Sequence, residues 1–243
     1  MHPELRASAA HVFVADIDSP ELSPSDGHHL RGALRLRVGQ TVTVSDGAGA
    51  WRTCRFTGDG VEASGPVERE AAPDPAITIG FVPVKGDRAD WTVQKLTELG
   101  VDRMVVLTSD RSVVRWGPER AQGHLPRLRR VAREAAGQSR RVWLPVLDGV
   151  AELTRVVGEP GVALADPGGQ APDLDRPFVL VGPEGGWTEE ERARAAEAGV
   201  PEVVLGPTVL RSETAALAAA TILIGLRSGV VGPGSSDRGP VQK

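Results

Sequence analysis

Two textures of hydrophobic patterning divide the chain. Up to about residue 72, apolar and polar residues alternate over short stretches: Thr41-Val42-Thr43-Val44, Trp51-Arg52-Thr53-Cys54-Arg55-Phe56 and Val61-Glu62-Ala63. A period of two marks strands with one face in a core. Glycine-bearing turns, Ser45-Asp46-Gly47-Ala48-Gly49 and Gly58-Asp59-Gly60, separate these stretches. His28 to Leu36 predicts one short helix with Leu30 and Leu34 on a common face. Short strands joined by glycine turns predict a small β-barrel over residues 1–72. The prolines of Ala71-Ala72-Pro73-Asp74-Pro75 then punctuate a linker, residues 73–76.

Over 77–228 apolar runs and helical stripes alternate. Ile77–Val84, Arg103–Thr108, Val162–Ala165, Phe178–Val181 and Glu202–Leu205 predict strands. Arg88–Leu99 predicts a helix with Trp91, Leu96 and Leu99 facing inward and Gly100 as its left-handed stop. Leu125, Leu128, Val131, Ala132, Ala135 and Ala136 make one stripe of a helix ending near Gln138, with Arg127, Arg130 and Arg133 off it. Thr188 and Glu191 form a capping box for a helix to about Ala198, and Thr214–Leu226 predicts a last helix. Such alternation predicts an α/β domain with a mostly parallel sheet. Residues 229–243, rich in Gly, Pro and Ser, predict a disordered tail.

Composition narrows the class. No apolar run reaches the roughly 18–20 residues of a membrane span, and Met1–Ala10 lacks the apolar segment of a secretion signal. Cys54 is the single cysteine, so an intramolecular disulfide and a cysteine metal cluster are excluded; a cytoplasmic location follows as the default. His2, His11, His28, His29 and His124 form no HxxxH or HExxH pattern, so no metal site is expected. Net charge is -4, yet Arg111–Arg141 holds nine arginines against Glu119 and Glu134. A local basic stripe is the footprint of phosphate contact or, equally, a solvated helix face in an arginine-rich composition.

Two segments carry candidate chemistry. Val181-Gly182-Pro183-Glu184-Gly185-Gly186 follows a strand and precedes the capped helix, where open α/β sheets bind ligands. It is neither GxGxxG nor a phosphate-binding P-loop, and a tight turn without a ligand is the plain alternative. Leu205-Gly206-Pro207 leads to Leu210-Arg211-Ser212-Glu213-Thr214, where Gly206 permits close backbone approach. Arg211 just before an apolar helix has little structural reason to be there, whereas Glu213 suits the helix dipole. No GxSxG elbow supports a hydrolytic triad.

These segments, with His29-Leu30-Arg31-Gly32-Ala33-Leu34-Arg35, Lys85-Gly86-Asp87-Arg88, Gln94–Val101 and Arg133-Glu134-Ala135-Ala136-Gly137-Gln138-Ser139-Arg140-Arg141, carry a resemblance. From about His11 to Arg227 the chain resembles the RsmE family of 16S ribosomal RNA uridine-N3 methyltransferases, of the trefoil-knotted SPOUT superfamily. Gly137 stands where that family more often has a polar or acidic residue, and Ser212 where threonine is usual. The resemblance implies a PUA-like RNA-holding barrel and a SPOUT α/β domain with a deep trefoil knot. It also implies a homodimer and transfer of methyl from S-adenosylmethionine to uridine N3 in the small ribosomal subunit. Leu164, Asp166, Val181, Gly182, Pro183, Glu184, Gly185, Gly186, Leu205, Gly206 and Leu210 would hold the cofactor. Arg211 and Glu184 are the catalytic candidates, Arg211 for developing negative charge on the uracil. Arg31, Arg35, Arg37, Arg127, Arg130, Arg140 and Arg141 are candidate RNA contacts.

Three alternatives remain open on sequence. One is a non-catalytic RNA-binding or ribosome-assembly factor, another a knotted methyltransferase for a different RNA position such as a ribose hydroxyl. The third is a nucleotide-binding α/β enzyme.

Overall fold

The computed structural model describes residues 1–84, 86–114, 116 and 118–232, without the side chains of 118–120. The expected tail lies outside the described residues from 233 onward. The chain divides into two compact units. One combines Met1–Pro73 with Arg130–Pro145, the other Asp74–Arg129 with the chain from Val146 onward.

The first unit opens with α1 (Pro3–Ala7) and holds β1 (His11–Phe13), β2 (Thr41–Ser45), β3 (Ala50–Phe56), β4 (Val61–Ala63) and β5 (Glu68–Arg69). The sheet runs β1-β2-β3-β4 with β5 on β3; β1 pairs parallel to β2 and the other pairings are antiparallel. These pairings leave the sheet open. The Asp46 turn forms as its sequence demands: Oδ1 accepts from Ala48 and Ala50 amides at 2.7 and 3.1 Å, and Gly47 and Gly49 take positive φ. The predicted helix at 28–36 is instead α2 (Pro24–His28) running into a π-helical turn, His29–Ala33. The wider turn keeps Leu30 buried but carries Leu34 out to 44% exposure.

Alternation along β2 predicts one buried face, yet Val42, Thr43, Val44 and Ser45 are all buried. Val42 and Val44 join Leu30, Cys54 and Phe56 in the core. The other face is covered by residues 139–145: Ser45 Oγ donates to the Val142 carbonyl at 2.9 Å. Thr43 Oγ1 lies 2.9 Å from His11 Nδ1, and His11 Nε2 lies 2.9 Å from the Arg141 carbonyl. A carbonyl only accepts, so Nε2 carries the proton and Nδ1 accepts from Thr43. Burial, against the raising effect of the hydrogen bond His11 donates to the Arg141 carbonyl, pulls the His11 pKa down to about 4. Burial likewise pushes the Cys54 thiol up to about 11, leaving it protonated and inert at neutral pH.

The second unit is a six-stranded sheet in the order β11-β9-β10-β6-β7-β8, parallel throughout. Its strands are β6 (Thr78–Phe81), β7 (Arg103–Thr108), β8 (Val146–Glu152), β9 (Val162–Gln170), β10 (Phe178–Val181) and β11 (Glu202–Val203). The central β6 and β10 are buried at every position, which is why they read as unbroken apolar runs. Helices α3 (Arg88–Leu99), α4 (Pro118–Gln138), α5 (Leu153–Val156), α6 (Glu189–Glu197) and α7 (Ser212–Ser228) connect or follow them. Gly100 ends α3 at φ 105°, as expected. Trp91 does not face inward: Val93 and Leu96 fill the core of α3 and Trp91 is 45% exposed. Helix α4 starts well before Leu125 and carries Pro126 inside it. The strand β8 and helix α5 were not expected, because Val146–Glu152 mixes Asp, Gly and Glu into its apolar pattern.

Gly80 in β6 is set by packing. A Cβ there would lie 2.7 Å from Leu180 Cδ2 and 3.1 Å from Leu107 Cδ1. Gly80→Ala is therefore expected to cost about 1–3 kcal/mol, read as a lower urea midpoint at constant slope. His11 gives a pH test. Its folded pKa lies below its unfolded value of about 6.5, so the unfolded state binds more protons between the two. Stability is complete above about pH 6.5 and falls as pH drops towards 4, by about 3 kcal/mol at the limit. His11→Gln should flatten that slope in urea titrations at pH 4.5 and 7.

Candidate active site

Residues inside β9 and the loops that follow β10 and β11 meet in the second unit. Asp166 lies near the end of the apolar part of β9, Gly182–Trp187 follows β10, and Val204–Leu210 links β11 to α7. Together they wall one cleft, with Ala165, Asp166, Val181, Gly182, Pro183 and Glu184 on one side and Leu205, Gly206, Val209 and Leu210 on the other.

The local sequence fixes this meeting. Gly186 turns the chain at φ 69°, with its amide donating to the Pro183 carbonyl at 2.8 Å. The chain then enters α6 through the predicted capping box: Glu191 accepts from the Thr188 amide at 2.8 Å and Thr188 Oγ1 from the Glu191 amide at 3.1 Å. Glu191 is buried and its other oxygen accepts from the Asp110 amide at 3.0 Å, so one carboxylate holds the end of β7 to the start of α6. Arg111 adds a second tie, donating to the Gly185 and Trp187 carbonyls at 2.8 and 3.2 Å.

Trp187 lies beneath the turn. A Cβ on Gly182 would sit 2.9 Å from its indole, so only glycine lets the two approach. The indole N–H donates to the Ala165 carbonyl at 3.2 Å, and Ser212 Oγ donates to the Gly182 carbonyl at 2.8 Å. Asp166 is held by Arg192 at 3.8 Å, and Arg192 is clamped on Glu202 at 2.9 and 3.1 Å. Among the described residues, the backbone amides and carbonyls of Leu205–Leu210 make no hydrogen bond. Such groups are bound by water or by a ligand.

The cofactor candidates thus fall mostly in one place. Asp166, Val181, Gly182, Pro183, Glu184, Leu205, Gly206 and Leu210 line the cleft. Leu164 is fully buried in the sheet, and Gly185 and Gly186 form the turn behind the lining. Sequence reasoning assigned no site role to Trp187, and marked Ser212 only as standing where threonine is usual; a tryptophan directly after paired glycines was the available sign of the first.

Arg211 precedes α7 and opens onto a neighbouring cavity of about 400 Å³ with Val82, Val84, Arg88 and Val113. Pro183 and Glu184 belong to both walls. Glu184 Oε1 lies 3.7 Å from Nη1 of both Arg211 and Arg88. Glu213 is mostly buried and accepts from Arg88 at 3.2 Å, so it has a structural partner besides the helix dipole.

The basic candidates are dispersed. Arg31, Arg35, Arg37 and Arg130 are exposed. Arg31 donates to the Gly58 carbonyl at 3.3 Å, Arg35 adopts φ 51°, and Arg130 lies 3.7 Å from Glu134. Arg127, in the second unit, is taken up by Asp87 and Asp90 at 3.1 and 2.7 Å. Arg140 donates to the Gly137 and Ser8 carbonyls at 3.2 and 3.0 Å, and the Arg141 carbonyl receives His11.

With the geometry in place, known proteins set the class. The RNA methyltransferase domain family matches residues 71–224, and the chain belongs to it. The ribosomal RNA small subunit methyltransferase E of Mycobacterium bovis is 31% identical over 225 residues, covering 85% of this chain and 84% of that protein. Its namesake in Synechocystis is 31% identical over 217 residues, covering 80% and 69%. A solved structure of ribosomal RNA small subunit methyltransferase E from Neisseria gonorrhoeae, bound to S-adenosyl methionine, matches at TM-score 0.73 and 30% identity. That match covers 87% of this chain and 94% of the other. The mixed α/β fold expected from the sequence is the fold these structures share.

Glu191→Ala removes acceptors from two amides at once and is expected to cost about 2–3 kcal/mol, measurable by urea denaturation. Unchanged stability would mean that the tie between β7 and α6 contributes little.

Proposed function

We propose that this protein transfers the methyl group of S-adenosylmethionine to N3 of a uridine in small-subunit ribosomal RNA. The observation that carries the reading is the cleft of Asp166, Gly182–Glu184 and Leu205–Leu210, with its unpaired backbone, opening beside Arg211 across a shared wall. The relatives' names and the cofactor in the N. gonorrhoeae structure support the same assignment.

The residues present fit the cofactor. Unpaired amides and carbonyls of Leu205–Leu210 suit the polar edge of an adenine, and Leu205 and Leu210 suit its faces. Leu164, Gly185 and Gly186 hold the strand end and turn in place, and the Asp166 carboxylate suits hydroxyl groups or positive charge. When bound, S-adenosylmethionine supplies an electrophilic methyl group on a positively charged sulfur. Arg211, exposed in the adjoining cavity, stabilises negative charge developing on the uracil, and Glu184 on the shared wall reaches both sides.

The finer architecture is part of the proposal. The first unit is read as a PUA-like RNA-holding module over about 1–72, followed by the linker 73–76. Residues 77–228 form the SPOUT domain, whose last segment threads the trefoil knot. Support for the knot comes from β10 seated between β9 and β6, with the Ser212 hydroxyl returning to the carbonyl of Gly182. Arg31, Arg35, Arg37, Arg127, Arg130, Arg140 and Arg141 contact phosphates, and the working form is a cytoplasmic homodimer. No helix among the described residues is long and apolar enough to cross a membrane.

Incubation with S-adenosylmethionine and small ribosomal subunits from cells lacking the modification should yield 3-methyluridine on nucleoside mass spectrometry. A different methylated nucleoside would move the target, and no cofactor binding would leave a non-catalytic RNA-binding protein. Arg211→Ala should slow turnover at least about 100-fold while calorimetry shows cofactor affinity within about threefold of wild type; retained turnover would remove Arg211 from the chemistry.

A further inference from the structure

We infer that Arg88, Glu184 and Arg211 form a fork that reads the hydrogen-bonding edge of uracil and rejects cytosine. The inference rests on the uridine-N3 reading and adds the selection of the base and the route of its proton.

Uracil presents an acceptor, a donor and an acceptor in sequence along its edge: O4, N3–H and O2. Its complement is a donor, an acceptor and a donor. The second cavity offers that order. Glu184 Oε1 has Arg88 Nη1 at 3.7 Å and Arg211 Nη1 at the same distance. Both separations are those of ion pairs longer than a hydrogen bond, so the three groups are gathered together while their donors and acceptor stay open to a base. Each is accessible, with side chains 48%, 52% and 66% exposed for Arg88, Glu184 and Arg211. Arg88 is held from behind by Glu213 at 3.2 Å, and its guanidinium retains other N–H donors. Val82, Val84 and Val113 supply apolar surface for a flat ring.

Cytosine would set its amino group against a guanidinium and its bare N3 against the carboxylate, leaving donors and acceptors facing their own kind. That mismatch is the strongest form of discrimination available to a polar site.

The same arrangement moves the proton. The N3 proton passes to the Glu184 carboxylate and the N–H electron pair stays on N3. That pair forms the new bond to the methyl carbon, while the carbon–sulfur pair leaves on sulfur. The two guanidiniums meet the charge that spreads onto O2 and O4 during this step. Glu184 and Arg211 are catalytic residues in this account, Arg88 reads the base, and Glu213 positions Arg88.

The test compares wild type, Arg88→Gln and Glu184→Gln in the full chain. Calorimetry with S-adenosylmethionine reports that Arg88→Gln is folded, with affinity expected within about threefold of wild type, because Arg88 does not line the first cleft. Cofactor-free binding is measured with RNA oligonucleotides carrying uridine or cytidine at the target. Wild type should prefer uridine by about ten- to a hundredfold, and Arg88→Gln should lose most of that preference. Rates on unmethylated small subunits are followed from pH 6 to 9. Glu184→Gln should be slowed at least about 100-fold and gain about tenfold per pH unit as the uracil ionises unaided. If wild type makes 3-methyluridine but Arg88→Gln keeps full preference for uridine, or Glu184→Gln keeps the wild-type pH profile, the fork is overturned alone. If wild type methylates another nucleoside or none, the fork falls together with the reading beneath it.

Discussion

The candidate site depends on one close approach: the Trp187 indole lies under Gly182 where no side chain can intervene. From there the indole N–H reaches Ala165 within β9, and the carbonyl of Gly182 receives Ser212 from α7. Two segments distant in sequence are thereby fixed against one turn. The carbonyls of Gly182, Pro183, Gly185 and Trp187 are each bonded, while among the described residues the backbone of Leu205–Leu210 on the opposite wall makes no hydrogen bond. Rigidity on one side and unused hydrogen-bonding capacity on the other suit a pocket that must hold a small molecule in one orientation.

The same turn separates two chemically different spaces. On one side lie Leu205, Leu210 and the carboxylate of Asp166; on the other lie two guanidiniums and a valine floor. Glu184, half exposed, looks into both. A transfer reaction needs its two reactants adjacent yet distinctly recognised, and a wall shared by Pro183 and Glu184 suits this.

Much of this was legible in the sequence where local physics decides the outcome. Gly100, the Thr188–Glu191 capping box and the buried run Phe178–Val181 behave as their residue types require. The turn Val181–Gly186 and the segment Leu205–Leu210 were identified as partners, and they do share a cleft. What escaped were features set by distant contacts. Trp91 has the spacing of a core residue and lies outside the core, because Val93 and Leu96 fill the space. Thr43 and Ser45 alternate like solvent-facing residues but are covered by a segment no short-range pattern connects to them. The π-helical turn at His29–Ala33 shifts Leu34 by a geometry that periodicity at 3.6 does not contain. Arg88 was quoted only as part of a motif, since its nearness to Glu184 and Arg211 appears only once β6, β10 and α7 are assembled.

The discontinuity of the first unit reaches into how the protein is made. Its sheet is complete by residue 69, but Ser45 finds its carbonyl partner at Val142, 97 residues later, and His11 its partner at Arg141, 130 residues later. On the ribosome the N-terminal strands therefore emerge long before the segment that covers them. Until about residue 145 has left the exit tunnel, the Ser45 hydroxyl and the Nε2–H of His11 lack the carbonyls they bond, so the first unit closes only after two strands of the second exist. The first unit is for the same reason not a contiguous cassette. A gene fusion ending at residue 73 would transplant the strands without the segment that covers them, so the first unit has to travel through evolution together with the second.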